Sequence, residues 1–329
     1  MKKAVCSGYY GFDNFGDDAV LKVLVENFKD KYDLTVLSAN PQKTKAEYNV
    51  NSLYSFDYVN VIKEIQSSDV LISGGGSLLQ DATSLKSLLY YILLIYFAIL
   101  FNKDVIIFAQ GIGPLNSAFS KFLVKYALSR CKIVTVRDNE SFELLKKWNI
   151  NTTLVNDPVY NLTVKPYNNS SKVGVQLRSF KGVNDEFLNN LAQFINTNFH
   201  DKEVVILSLQ DKLDLEVCQK FKELIKTKSV CVKSSLSIDD VINEIADLEY
   251  LFSMRFHSAL IGYKCGTKVL PIVYDKKVRT LAQSLNSTYI EMEQIDNIQE
   301  KFTQLKDCDT NIYREITNQR KLDFSIYDI

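Results

Sequence analysis

Val70-Leu71-Ile72-Ser73-Gly74-Gly75-Gly76-Ser77-Leu78-Leu79-Gln80-Asp81 is the stretch from which the rest of the chain is read. Its first four residues form a short, mostly apolar run that predicts a buried strand. Three glycines follow, and Ser77 opens an apolar run that reads as helix. A strand, a glycine turn and a helix N-terminus make an anion-binding corner, because the first N–H groups of a helix have no internal partner. A tight strand-to-helix turn without a ligand explains a triple glycine equally well, since such glycines also serve close packing.

The same grammar runs outward on both sides. Residues 3–7 predict a strand that ends in Gly8-Tyr9-Tyr10-Gly11-Phe12-Asp13-Asn14-Phe15-Gly16-Asp17-Asp18, with helical spacing from 19 to 28. This is neither G-x-G-x-x-G nor a Walker loop, as no Gly-Lys-Ser/Thr occurs. Strands at 34–38, 105–109 and 133–136 alternate with helical patterns, which calls for a parallel sheet covered on both faces. Residues 156–172 lose periodicity and gather Asp157-Pro158, Lys165-Pro166 and Asn168-Asn169-Ser170-Ser171, the composition of a linker. Beyond it the alternation restarts at 173–177 and continues past 269–273. The expected architecture is α/β: two doubly wound Rossmann-like domains facing a cleft, GT-B-like. The expected boundaries are 1–160, 161–309, and a C-terminal segment 310–329 that packs back on the first domain.

Lysine plus arginine equals aspartate plus glutamate, so the net charge is zero and gives no case for nucleic acid as a partner. Six scattered cysteines without a C-x-x-C pair, and only two histidines, argue against zinc. The chain start runs straight into a strand and lacks a cleavable apolar leader, so a cytoplasmic protein with free thiols is expected. Residues 88–101 are unbroken apolar or tyrosine, yet a spanning helix needs about 20. They predict a largely buried helix. The alternative is a helix resting on a membrane surface, rimmed by Lys86 and Lys103.

Ligands of doubly wound sheets bind beyond the carboxyl ends of the strands. Arg137, Arg178, Arg255, His257 and Lys277 all fall there, together with two glycine corners. Such clustering favours a small, multiply charged anion. Each residue has a plainer reading. Arg137 could pair with Asp138 or Glu140 on the surface, Lys277 could sit on an exposed helix start beside Lys276, and His257 could pack between Phe256 and an apolar run. Asp13, Asp17 and Asp81 could simply cap turns. Asp138 reads as a helix N-cap, and His200 as solvated.

Ser7–Asp17, the Gly74–Asp81 corner with Thr83-Ser84, Ala109-Gln110-Gly111-Ile112-Gly113-Pro114, Thr135-Val136-Arg137-Asp138 and Met254-Arg255-Phe256-His257 together resemble the polysaccharide pyruvyl transferases, most of all the CsaB type. The resemblance runs from the first strand to about Leu285. It implies transfer of a pyruvyl group from phosphoenolpyruvate, a co-substrate and not a cofactor, to two hydroxyls of one sugar. In the CsaB type that sugar is an N-acetylmannosamine on a lipid-linked oligosaccharide, so peripheral contact with the inner membrane face is expected. The family's phosphoenolpyruvate-binding arginine, histidine and lysine fall on Arg137, His257 and Lys277. The histidine segment here is one residue longer than in some members, which leaves Lys276 as the alternative to Lys277. Arg178, Gly75 and Gly76 complete the expected donor set, and no metal is needed.

This chemistry matches the residue inventory. Arginine clamps planar oxyanions at two points. His257 could protonate the methylene carbon or grip the phosphate as imidazolium. Asp13, Asp17 or Asp81 could take the sugar hydroxyl proton. Two readings compete: a GT-B glycosyltransferase using a nucleotide sugar, against which no clear acidic pair for a ribose follows His257, and a non-catalytic glycan-binding relative.

Overall fold

A computed structural model of the chain describes residues 1–168 and 170–328. It divides into two units: Met1–Leu162 joined by the chain end from Lys321, and Thr163–Arg320. The division falls inside the stretch read as a linker.

Unit 1 alternates β1 (Lys2–Ser7), α1 (Phe15–Phe28), β2 (Tyr32–Ser38), α2 (Pro41–Tyr48), β3 (Asn51–Tyr54), α3 (Tyr58–Ser67), β4 (Val70–Ser73), α4 (Leu85–Leu100), β5 (Asp104–Gln110), α5 (Ala118–Leu128), β6 (Ile133–Val136), α6 (Asn139–Lys147) and β7 (Thr153–Leu154). All pairings are parallel, in the order β3-β2-β1-β4-β5-β6-β7. The order reverses between β1 and β4, which makes their carboxyl ends the switch point where such sheets open a crevice. Both glycine loops leave the sheet there. Side-chain caps start most helices: Asn14, Asn40, Asp57, Ser84, Ser117 and Asp138 each accept a backbone N–H of the first turn.

Unit 2 runs β8 (Lys172–Gln176), α7 (Asp185–Asn198), β9 (Glu203–Leu207), α8 (Asp211–Leu224), β10 (Ser229–Lys233), α9 (Ile238–Ala246), β11 (Leu248–Ser253), α10 (Phe256–Cys265), β12 (Lys268–Val273), α11 (Lys276–Ser284), β13 (Ile290–Glu291), α12 (Ile298–Lys306) and α13 (Thr310–Gln319). Its sheet repeats the plan, in the order β10-β9-β8-β11-β12-β13, with the reversal between β8 and β11. Each unit has its own apolar core.

Three sequence expectations are corrected. Ser77 does not open a helix: α4 begins at Leu85, capped by Ser84. Residues 77–84 lie instead along the extension of β5. Leu79 bridges Ile112, Gly111 N–H donates to Gly76 O (2.9 Å) and Gly113 N–H to Leu79 O (2.8 Å). Those bonds satisfy the backbone that a helix would otherwise satisfy. Second, α4 is only half buried. It packs Leu88, Ile92, Leu94 and Ile95 inward but leaves Leu85, Leu93 and Leu100 exposed. No helix among the described residues is long and apolar enough to cross a membrane. Third, the segment 310–329 divides. Helix α13 stays in unit 2, packed on α10, with Tyr313 against Tyr263 at 5.1 Å between ring centroids. Only the end from Lys321 returns to unit 1, where Phe324 and Tyr327 pack on Phe28 and Phe108 and Tyr327 Oη lies 2.7 Å from Thr135 Oγ1.

Candidate functional site

The carboxyl ends of the strands bring different chemistry together in each unit. In unit 1, Tyr10 fills the switch point. A Cβ on Gly8 would fall 2.3 Å from its Cζ, and one on Gly74 would fall 2.1 Å from its Oη. Both glycines are therefore required for close approach, and Gly75 likewise backs onto Val20 of α1. Gly76 has φ +82°, a left-handed conformation that suits glycine, and a Cβ there would meet Asp17 Oδ1 at 2.7 Å. Since no helix starts at Gly74–Gly76, the anion-binding corner expected there is replaced by turn and packing work. Beneath it, Gln110 Nε2 donates to Ser73 O (2.9 Å) and Oγ (2.8 Å), tying β5 to β4.

The carboxylates of this unit separate by environment. Asp81 accepts the backbone N–H groups of Asn116 (2.7 Å) and Ser117 (3.1 Å), bracing the loop before α5. The Asn116 hydrogen bond, first among these, holds its carboxyl below the usual range. Asp13 is exposed and pairs with Lys43 at 2.8 Å. Asp17 lies under Gly76 in the first turn of α1. Its neighbour Asp18, which sequence reasoning passed over, is the most perturbed. Burial, then the adjacent Asp17, pushes its carboxyl up to about 7, against the pull of a Gly11 N–H and Lys43. The Asp-Asp doublet at the start of a helix was the available signal.

Arg137, at the end of β6, pairs with Asp157, which is buried and also accepts Val159 N–H at 3.0 Å. Asp138 is committed elsewhere, as the cap of α6, through Ser141 N–H (2.8 Å) and Oγ–H (2.7 Å). A guanidinium carries five donors, and Asp157 takes one arm.

In unit 2 the sheet order sets β8, β11 and β12 side by side, so their carboxyl ends present Arg178, then Arg255 and His257, then Lys276 and Lys277 as neighbours. Gln176, fully buried at the end of β8, fixes the junction: its Oε1 accepts Arg255 N–H (2.8 Å) and its backbone oxygen accepts Met254 N–H (3.1 Å). The Arg255 side chain turns back to the fully buried Asp214. Its Nε donates to Oδ2 and a terminal nitrogen to Oδ1, both at 2.9 Å, and that nitrogen also reaches Gln210 Oε1 at 3.0 Å. Arg178 donates to Tyr274 Oη (2.5 Å) and lies 5.3 Å from that ring's centroid, while its buried Nε has no hydrogen-bond partner among the described residues. His257 is half-buried in the first turn of α10, edge-on to Phe256. The cap of α10 is Arg255, which makes no side-chain capping bond. Lys276 and Lys277 are exposed at the start of α11, after the Asp275 cap. Among the described residues no cluster of His, Cys, Asp and Glu could hold a metal ion.

The family model for polysaccharide pyruvyl transferase matches residues 14–276. The chain belongs to the polysaccharide pyruvyl transferase family. The matched span includes Asp17, Gly75, Gly76, Asp81, Arg137, Arg178 and His257, and stops one residue short of Lys277. No curated protein matches the sequence. Solved structures share the fold at low identity. HepE from Anabaena in complex with UDP and glucose aligns at 11% identity over 99% of this chain and 97% of its own, TM-score 0.63. UDP-GlcNAc 2-epimerase from Neisseria meningitidis, bound to UDP-GlcNAc, aligns at 9% identity over 99% and 98%, TM-score 0.65. The S. aureus MnaA–UDP structure aligns at 10% identity over 99% and 94%, TM-score 0.63. Two parallel-sheet α/β domains of GT-B-like class are thus common to this pyruvyl transferase family member and to these proteins.

Proposed function

We propose that the protein transfers a pyruvyl group from phosphoenolpyruvate to two hydroxyls of one sugar, leaving a ketal and releasing phosphate. The observation that carries this reading is the family match over 14–276 in a chain that lines up Arg178, His257 and Lys277 on three adjacent strand ends of unit 2. In the same proposal the acceptor is the CsaB type's N-acetylmannosamine, bridged at its 4- and 6-hydroxyls, on a lipid-linked precursor of a secondary cell-wall polymer.

Protonation of the methylene carbon turns the phosphoenolpyruvate double bond into a methyl group and leaves positive charge at the neighbouring carbon. One sugar hydroxyl attacks that carbon and loses its proton. Phosphate then leaves with the C–O bond pair, and the second hydroxyl closes the ketal. One hydroxyl proton balances the methyl group and the other leaves with phosphate. His257 is the proposed proton donor. Arg178 and Lys277 hold the donor's carboxylate and phosphate. Arg137 joins the donor ligands on the strength of the sequence resemblance. Asp18, whose carboxyl is pushed up to about 7 by burial, is the proposed acceptor of the hydroxyl proton, with Asp17 beside it, since a base works best with a pKa near the working pH. Asp13 and Asp81 are held by Lys43 and by the loop before α5.

The test measures phosphate release against phosphoenolpyruvate concentration, with an N-acetylmannosamine-containing lipid-linked disaccharide as acceptor. Arg137→Ala, Arg178→Ala and Lys277→Ala should each weaken donor affinity roughly tenfold to a hundredfold, the worth of one charged hydrogen bond. His257→Ala should lower kcat more than it raises KM. The product should gain one pyruvate less one water. Near-native kinetics in the Arg178 and Lys277 variants would remove the donor assignment. Release of a nucleoside diphosphate from a sugar nucleotide, without phosphate from phosphoenolpyruvate, would favour the glycosyltransferase reading.

A further inference from the structure

The outward face of α4 and α5 exposes large apolar side chains on two adjoining helices. Leu85, Leu93 and Leu100 are 47%, 50% and 69% exposed on α4. They fall on one stripe of the helix, with half-buried Leu89 and Phe97 beside them. On α5 the exposed aromatic positions are Phe119, Phe122 and Tyr126, at 57%, 64% and 43%. Spacings of three and four residues put these on one face too. The helices adjoin: Tyr96 Oη donates to Leu123 O at 3.0 Å, and the Tyr96 and Tyr126 rings meet edge-on at 5.6 Å between centroids. The two stripes therefore belong to one surface. A helix on a soluble sheet normally turns its polar residues outward. Here α4 contains Lys86 and Ser87 as its non-apolar, non-tyrosine residues, and it has no acid.

Charge sets the identity of what covers this surface. Between residues 82 and 132 the chain carries Lys86, Lys103, Lys121, Lys125, Arg130 and Lys132 against the single carboxylate Asp104. That is a surplus of five positive charges in a chain of zero net charge. Lys121 and Lys125 are exposed on α5 beside its aromatic stripe, and Arg130 sits over the Tyr126 ring, 3.5 Å from its centroid. Aromatic and leucine side chains flanked by cations are the composition of a surface that lies in the headgroup layer of an anionic bilayer. A second copy of the chain would bring two faces of the same positive sign together, and a soluble acidic protein would not need exposed leucines on α4.

We propose that the α4–α5 face is a docking surface for an anionic lipid bilayer, held by Phe119, Phe122 and Leu93 in the acyl boundary and by Lys121 and Lys125 on the phosphates. The inference concerns binding alone and stands whatever reaction the protein catalyses.

The test is co-sedimentation of the full chain with vesicles of phosphatidylcholine and phosphatidylglycerol in equal parts, and with phosphatidylcholine alone. Binding should require phosphatidylglycerol and weaken as salt is raised, because exposed charges are screened over about a Debye length. Lys121→Glu with Lys125→Glu should lower the partition coefficient tenfold or more, as each lysine near such a surface contributes roughly fivefold. Phe119→Ser with Phe122→Ser should lower it comparably at constant charge. All four positions are exposed, so melting curves should stay within a few degrees of the parent, and they verify that each variant is folded. Equal binding by the parent and the folded variants, or no binding to phosphatidylglycerol vesicles, overturns the proposal. So does a concentration-dependent dimer in sedimentation equilibrium that the phenylalanine variants abolish, which would assign the face to a second copy.

Discussion

Gly74→Ala tests whether Tyr10 is what fills the switch point of unit 1. The new Cβ would lie 2.1 Å from Tyr10 Oη, but 3.3 Å from Tyr10 Cζ and from Leu24 Cδ1. The obstacle is thus one oxygen atom. Tyr10 is 1% exposed, and its ring also abuts Gly8, so it cannot swing aside without moving the loop after β1. Overpacking of this kind costs about 1–3 kcal/mol. In a domain of this size each kcal/mol lowers Tm by about 2–4 °C. Tyr10→Phe removes the oxygen and keeps the ring. Because Tyr10 Oη has no hydrogen-bond partner among the described residues, Tyr10→Phe alone should be within about 0.5 kcal/mol of the parent or more stable. In that background Gly74→Ala should cost at least ~1 kcal/mol less, a coupling typical of side chains in contact. Gly8→Ala is the control. Its Cβ would meet ring carbons at 2.3, 2.5 and 2.8 Å, which phenylalanine retains, so Tyr10→Phe should not relieve it. Urea unfolding followed by circular dichroism gives the four-way comparison by linear extrapolation. An equal cost of Gly74→Ala in both backgrounds would refute the reasoning, as would rescue of Gly8→Ala by the same substitution.

Asp18 makes stability depend on pH in a defined direction. Its folded-state carboxyl is raised to about 7 from 3.8, so between those values the unfolded chain ionises while the folded protein keeps its proton. Folding stability from this group is therefore undiminished below about pH 4, falls as pH rises, and levels off above about 7, with an upper bound on the order of 4 kcal/mol. Asp18→Asn should be more stable than the parent at pH 8 and equal to it at pH 4; urea midpoints that differ alike at both would contradict the assignment. Asp214→Ala leaves the Arg255 guanidinium without its buried carboxylate and should cost ~3–5 kcal/mol in urea unfolding. A loss under about 1 kcal/mol would mean that the pair is not desolvated.

Sequence patterning carried the local readings that depend on few neighbours. The helix cap at Asp138, the strand at 70–73 and the break near Asp157-Pro158 follow from side-chain chemistry within a few residues. Readings that depended on what lies opposite fared differently. Ser77–Leu79 has helical composition, yet the carbonyls of Gly76 and Leu79 accept the N–H groups of Gly111 and Gly113, which are far along the chain, and that pairing prevails. Arg137 was read beside its sequence neighbours, but its partner Asp157 is brought in by the turn after β7. Asp214 lies in the middle of an ordinary amphipathic helix, and nothing local marks it as the counter-ion of Arg255. Which side of 88–101 is left uncovered was settled only by what packs against it, because one apolar stretch cannot reveal this.

The sequence by itself determined the alternation of strands and helices, the two-unit plan, and the placement of arginines, histidine and lysines just after strands, because periodicity and turn chemistry act over a few residues. Only the tertiary structure decided strand order, since hydrogen-bonded neighbours in a parallel sheet are joined by long crossovers and no local signal records them. That order reverses at β1–β4 and β8–β11, places Arg178, His257 and Lys277 on adjacent strand ends, and wedges Tyr10 between two glycine loops more than sixty residues apart.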